Sequence, residues 1–182
     1  MRTALFVLLV AGLLVPAALA DDPAGPSASS ACKTLQKTAP DMFGVGKTYR
    51  NLGACVSAKS AQADANTTSA AKACKTEQAD PNFAGGHGGK SFSDFYGTSG
   101  NGNGKSQGKG NALGKCVSGK ASAQTAAQTQ AQLNAAKQCK AQRADAGFAS
   151  GHDGKTFGDY YGTNSNKRNA FGKCVSKLAK TK

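Results

Sequence analysis

Between its fourth and fifth cysteines the chain reads Cys116-Val117-Ser118-Gly119-Lys120-Ala121-Ser122-Ala123-Gln124-Thr125-Ala126-Ala127-Gln128-Thr129-Gln130-Ala131-Gln132-Leu133-Asn134-Ala135-Ala136-Lys137-Gln138-Cys139. From Ala121 to Ala136 there is no Gly or Pro, and such a composition has high helix propensity. A helix from about Asn111 to Arg143 is expected, with Asn111 as candidate N-cap and Gly119 as a weak point. Residues four apart share a helix face, so Ala123, Ala127, Ala131, Ala135 and Cys139 form a stripe of small side chains that another helix could approach closely. Asn51 to Gln78 is the matching earlier segment, with the row Ala54, Ala58, Gln62, Asn66, Ala70 and Cys74. Its candidate break is Asn66-Thr67-Thr68-Ser69, because such side chains compete for backbone groups. Shorter helices are expected over Ala31–Lys37 and Asn169–Lys177.

The helices constrain the six cysteines. Cys55 and Cys74 lie near opposite ends of one helix, roughly 28 Å apart at about 1.5 Å per residue, whereas a disulfide needs Cα atoms about 5.5 Å apart. Cys116 and Cys139 are excluded from pairing in the same way. The natural scheme joins each helix end to the next helix start: Cys32–Cys55, Cys74–Cys116 and Cys139–Cys174. The best rival keeps Cys74–Cys116 but joins Cys55 to Cys139; six cysteines allow fifteen pairings.

Outward from the helices, one unit recurs. Cys139-Lys140, Phe148, Gly151-His152, Gly154-Lys155-Thr156-Phe157, Asp159-Tyr160-Tyr161-Gly162-Thr163 and Asn169-Ala170-Phe171-Gly172-Lys173-Cys174-Val175-Ser176 have counterparts in Cys74-Lys75, Phe83, Gly86-His87, Gly89-Lys90-Ser91-Phe92, Asp94-Phe95-Tyr96-Gly97-Thr98 and Asn111-Ala112-Leu113-Gly114-Lys115-Cys116-Val117-Ser118. A shorter first copy has Ala31-Cys32-Lys33, Asp41-Met42-Phe43-Gly44 and Leu52-Gly53-Ala54-Cys55-Val56-Ser57, without the His-containing insert. Such self-similarity implies duplication, with terminal copies as atypical caps. The organisation read from this is a leader over 1–20, a disordered segment over 21–30, a first unit over 31–58, a helical connector over 59–69, a second unit over 70–120, a connector over 121–134, and a third unit with a basic tail over 135–182. The Asp-aromatic-aromatic-Gly pieces read as single helical turns ended by Gly97 and Gly162 in a left-handed cap. Ser99 to Gly110 reads as a flexible Gly-Asn-Lys linker.

Arg2, the apolar run from Ala4 to Val15 and Ala18-Leu19-Ala20 have the form of a secretory signal cleaved after Ala20. The run is too short to span a bilayer, which needs roughly 20 residues. A secreted or envelope-associated chain without a transmembrane anchor is expected. Beyond residue 20 there are five Leu, four Val, seven Phe and no Ile, about a tenth of the residues. A chain that poor in large apolar side chains defaults to disorder unless something else holds it, and a large buried cavity, a doubly wound sheet or a barrel is not expected. Oxidising export favours disulfides, and the chain-entropy account gives each such loop about 3–4 kcal/mol. The expected fold is therefore mainly α, made of disulfide-stapled helical hairpins from three related repeats, with two long Ala-rich helices and Gly-rich loops. Phe and Tyr would form small local cores around the staples.

The Cys-bounded units resemble uncharacterised secreted, Cys-containing repeat proteins of high-GC Gram-positive bacteria, which carry segments like Asn169–Ser176 after a Tyr-Gly-Thr-Asn turn. The resemblance covers about two thirds of the mature chain and implies no catalytic residues.

Motifs with chemistry are sparse. Ala84–Ser91 and Ala149–Thr156 fit a relaxed phosphate-loop pattern, but both begin with Ala and neither follows a buried strand, so each reads as a Gly-rich turn with a solvated lysine. His87 and His152 are the only histidines. With Asp94 and Asp159 seven residues on, they supply too few ligands for a tight metal site; capping a turn, or packing on Phe92 or Phe157, is the better reading. No cofactor and no catalytic constellation are expected, and no nucleic-acid motif appears.

Charge is the remaining lead. The chain carries a formal net charge of +13. Lys33, Lys75 and Lys140 follow the first cysteine of each unit, near helix C-termini where cations are favoured. Lys115 and Lys173 sit near helix N-termini, where anions bind, and are the candidate anion-binding residues. A basic exported chain would adsorb to polyanions such as teichoic acid, acidic glycans, lipid headgroups or extracellular DNA. The expected function is a non-enzymatic envelope or extracellular interaction module with weak electrostatic affinity for polyanions. The rivals are a small extracellular enzyme or inhibitor using His87 and His152, and a purely structural secreted protein.

Overall fold

The computed structural model describes residues 27–97 and 111–180. The expected leader and the Ser99–Gly110 linker lie outside the described residues, as do Thr181 and Lys182. The described chain is helical: α1 (Ala28–Thr38), α2 (Leu52–Ala79), α3 (Phe83–Gly86), α4 (Phe92–Tyr96), α5 (Ala112–Ala144), α6 (Phe157–Tyr161) and α7 (Ala170–Leu178), with a 3-10 turn at Pro40–Met42. The only β-type pairing among the described residues is an isolated bridge between Phe43 and Tyr49. No described helix is long and apolar enough to cross a membrane.

Three disulfides staple the helices. Cys32–Cys55 joins α1 to α2, Cys74–Cys116 joins α2 to α5, and Cys139–Cys174 joins α5 to α7, with Cα separations of 5.9, 6.0 and 6.0 Å. The helices α2 and α5 run antiparallel, since Cys74 meets Cys116 and Asn66 meets Thr125. Two cores result. One gathers Cys32–Cys55 and Cys139–Cys174 with Leu35, Met42, Tyr49, Phe148, Phe157, Tyr161, Phe171 and Val175. The other, at the far end of the hairpin, holds Cys74–Cys116 with Phe83, Phe92 and Ala112. The first and third units thus share one core, and the second builds its own.

Several local expectations are corrected. α1 starts at Ala28, inside the segment read as disordered, because the Ser27 hydroxyl accepts from Ser30 N at 3.2 Å and caps it. α2 runs unbroken through Asn66–Ser69. There Thr67 and Thr68 donate back to Ala63 O and Asp64 O at 2.9 and 3.0 Å, bonds compatible with a helix, and Asn66 points across to α5. α5 likewise passes straight through Gly119. Asn111 stands at its N-cap position, but its side chain makes no cap bond. Gly97 and Gly162 have φ of −74° and −75°, not left-handed values. Gly162 is demanded by space: a Cβ there would meet the Gly158 carbonyl oxygen and the Lys167 side chain.

The alanine stripe is corrected too. Ala123 and Ala127 are exposed and Ala131 half-buried, while Ala135 and Cys139 of the stripe are buried; the buried face of α5 carries Ala112, Cys116, Thr125, Thr129, Ala135, Ala136 and Cys139, and that of α2 carries Cys55, Lys59, Asn66, Ala70 and Cys74. A row of residues four apart rotates by about 40° per step on a helix of 3.6 residues per turn, so a long one winds out of the interface. Between the two cores the contact is polar. Asn66 Nδ2 donates to Thr125 Oγ1 (2.9 Å) and Gln128 Oε1 (2.8 Å), and Gln128 Nε2 donates back to Asn66 Oδ1 (3.1 Å). Lys59 is 2% exposed and donates to Gln62 Oε1 at 2.9 Å. Burial pushes its ammonium below the ordinary lysine range.

Candidate anion-binding site

The motif Gly-x-Cys occurs as Gly53-Ala54-Cys55, Gly114-Lys115-Cys116 and Gly172-Lys173-Cys174. Only in the third does another segment press on the glycine. The turn Gly44–Tyr49 of the first unit lies against α7, where a Cβ on Gly172 would collide with the Thr48 hydroxyl; nothing lies within 4 Å of the same position at Gly114. Two glycines shape the turn, Gly44 at φ +129° and Gly46 at φ +78°. Gly44 N donating to Tyr49 O (2.8 Å) and Tyr49 N donating to Met42 O (2.9 Å) close it.

Opposite stands the turn that enters α7. Asn169 does not cap the helix with its side chain. It accepts from Thr163 N at 3.1 Å and donates to Thr163 Oγ1 at 2.7 Å, cross-linking the loop at its base. Lys167, at φ +54°, lays its stem over Gly162 and Gly158, and Arg168 N donates to Asn166 Oδ1 at 3.1 Å.

Two hollows flank this second turn. The first, about 450 Å³, is lined by Gly46, Lys47, Thr48, Asn164, Asn169, Gly172, Lys173 and Ser176, two cations and no acid. Thr48 Oγ1 and Asn164 Oδ1, both on its wall, are shielded from solvent and have no hydrogen-bond partner. Unpaired buried polar atoms are uncommon and costly. The second hollow, about 460 Å³, sets Arg143, Lys167 and Arg168 above Phe148, Phe157 and Phe171, with Asp145 at its edge. Arg168 Cβ lies 3.4 Å from the Cβ position of Gly46, so the two hollows adjoin. Five cations therefore face this junction. Of the carboxylates nearby, Asp41 is bound to Arg143 at 3.0 Å, a hydrogen bond that holds its carboxyl below the usual range, and Asp159 accepts from Thr156 Oγ1 at 2.7 Å. Asp145 Oδ1 accepts from Gly147 N at 2.8 Å.

The two lysines singled out by sequence have different surroundings. Lys173, in the first turn of α7, faces the turn Gly46–Thr48 across the first hollow. Lys115, in the first turn of α5, is exposed beside the open space at Gly114. Lys75 and Lys140 stop one residue short of the last turns of α2 and α5, and in α1 and α5 the basic residues of the last turn are Lys37 and Arg143. Sequence reasoning missed Lys47 and Arg168. They meet only because the hairpin folds the first unit onto the third, and no local pattern announces that.

The histidines are held in twin stacks. His87 lies on Phe83 with centroids 3.8 Å apart and planes 6° apart, and His152 on Phe148 at 3.8 Å and 8°. Each packs on the phenylalanine four residues earlier rather than on Phe92 or Phe157. Nδ1 of each lies 2.7 Å from that phenylalanine's carbonyl oxygen, a contact that requires Nδ1–H as donor. The edges of Phe95 and Tyr160 close over the imidazoles at 4.6 and 4.5 Å. Asp94 and Asp159 serve helix starts: Ser91 Oγ donates to Asp94 Oδ2 at 2.6 Å, and Thr156 Oγ1 to Asp159 Oδ2 at 2.7 Å. Among the described residues no group of three or more His, Cys, Asp or Glu could hold a metal ion.

Compared with protein-family models, with curated proteins and with solved structures, the chain matches none.

Proposed function

We propose that this is an exported, non-enzymatic interaction module that binds anionic polymers through the junction of its first and third units. The observation that carries the reading is the convergence of Lys47, Lys173, Lys167 and Arg168 on two adjoining hollows, beside an Arg143 already paired with Asp41. A solvated lysine face spreads its charge; here two turns braced by hydrogen bonds fix the backbone from which Lys47, Lys167 and Arg168 project. Clustered cations raise the local concentration of a polyanion and speed its capture, an effect that salt screens. Export is supported by the form of residues 1–20 and by the oxidised cysteines.

Elution of the oxidised protein from immobilised heparin along a salt gradient tests the reading. The triple variant Lys47→Ala, Arg168→Ala, Lys173→Ala is compared with a control of equal charge, Lys72→Ala, Lys75→Ala, Lys90→Ala. The junction variant should elute at clearly lower salt than the control. Equal shifts would mean that total charge, not this junction, governs adsorption.

A further inference from the structure

The second hollow has a chemistry of its own. Its floor is made of the rings of Phe148, Phe157 and Phe171, and its rim of Arg143, Lys167 and Arg168. The three rings are core residues, 5, 9 and 6% exposed, so the hollow offers the edges of a packed aromatic cluster beneath cations; that suits a ligand with a small apolar body and an anionic head, and a polymer of charge alone would leave those edges unused. The duplication supplies an internal comparison. Phe83 and Phe92 repeat the floor residues Phe148 and Phe157 in the second unit, but Gln78, Gly110 and Leu113 stand where the third has Arg143, Arg168 and Phe171. The shared core of the unit therefore does not require those three residues.

Within the third unit the cations are positioned. Arg143 is fixed from both sides, by Asp41 at 3.0 Å and by the face of Phe171, whose centroid is 5.0 Å from its guanidinium carbon. Lys167 is steered by its left-handed backbone and by packing over Gly162. With Arg143 neutralised by Asp41 and one carboxylate at the rim, Lys167 and Arg168 supply the charge for an incoming anion.

We propose that this hollow binds a small carboxylate carrying an aromatic or short aliphatic body, with the body against the edges of Phe148 and Phe157, beside the Arg143-covered Phe171, and the carboxylate between Lys167 and Arg168. The proposal extends the anionic reading above to a second kind of ligand, and Lys47 and Lys173 take no part in it.

The test is a titration of the full-length oxidised protein, followed by backbone amide shifts, with 3-phenylpropionate, 3-phenylpropanol and acetate. Phenylpropionate should shift the amides of Phe157, Arg168 and Phe171 to saturation, and the alcohol and acetate should bind at least tenfold more weakly. The variant Lys167→Gln, Arg168→Gln should lose about tenfold in affinity for phenylpropionate and retain its melting temperature. Ala149→Leu, which fills the rim, should weaken the acid and the alcohol alike. Equal binding of acetate and phenylpropionate, equal shifts at Phe83, Phe92 and Leu113 in the second unit, or an unchanged affinity in the double variant would each overturn the proposal. Heparin elution of a Lys47→Ala, Lys173→Ala double variant, which keeps Lys167 and Arg168, reads the polymer site separately, so failure here with heparin binding intact leaves that reading standing.

Discussion

Gly172 in α7 yields its side-chain space to Thr48 in the first unit: a Cβ at Gly172 would meet the Thr48 hydroxyl, with Thr48 N at 3.1 Å and Cα at 3.3 Å. This seam joins the first unit to the third and forms one wall of the candidate site. Gly172→Ala should lower stability by about 1–3 kcal/mol through overpacking, despite the better helix propensity of alanine. Gly114→Ala and Gly119→Ala meet nothing within 4 Å and should each raise stability by up to about 1 kcal/mol. Thermal unfolding followed by circular dichroism checks all three, at about 2–4 °C per kcal/mol for a chain of this size.

The far core is small and depends on Cys74–Cys116, which closes a separation of 42 residues. Replacing both cysteines with serine should cost about 3–4 kcal/mol on the chain-entropy account, and the loss should be local. Hydrogen exchange should show α3, α4 and the adjoining ends of α2 and α5 losing protection, with the amides of Leu35, Met42 and Val175 still slow. Uniform loss across the molecule would mean that the two cores unfold as one.

Lys59 is buried between α2 and α5 with its ammonium disfavoured by burial. Its folded pKa is lowered, so the unfolded chain holds the proton more tightly. Stability is then lowest below the folded value, rises as pH climbs through it, and levels off above the unfolded value of 10.5. Lys59→Met should stabilise the protein at neutral pH by about 1 kcal/mol or more and flatten the alkaline rise. Urea unfolding at several pH values measures both effects.

Glu77 and Gln142 occupy matching places, accepting from Tyr96 Oη at 3.0 Å and Tyr161 Oη at 2.9 Å. Glu77 also pairs with Lys120 at 2.9 Å. Burial pushes the Glu77 carboxyl up, but the bonds from Lys120 and Tyr96 outweigh it and leave the carboxyl below its usual value. Its contribution is therefore present above about pH 4.5 and lost as pH falls through the folded value. Glu77→Gln should keep the tyrosine bond, cost less than about 1 kcal/mol at pH 7 because the pair is partly exposed, and match the wild-type stability near pH 2. Paired melting curves at the two pH values decide it.

How far the sequence could be read depended on how local each feature was. Helix length alone keeps Cys55 from Cys74 and Cys116 from Cys139, and α2 and α5 are long, unbroken helices. The repeat exposed the single-turn helices at Phe92–Tyr96 and Phe157–Tyr161. The interface between the long helices was harder, because Thr125 and Thr129 are buried where alanines looked better suited. A polar pair such as Asn66–Gln128 becomes visible only when the two helices are laid side by side. The site was half legible: Lys173 could be named from its helix end, but Lys47 and Arg168 join it through a contact that spans most of the chain.

The polar middle of the α2–α5 hairpin makes those helices a spacer of adjustable length. Its buried groups bond one another rather than either disulfide-bound end. Seven residues added to both helices at matched depths would keep the facing register and move the ends roughly 10 Å farther apart. The hairpin is thus a ruler with a stapled clasp at each end.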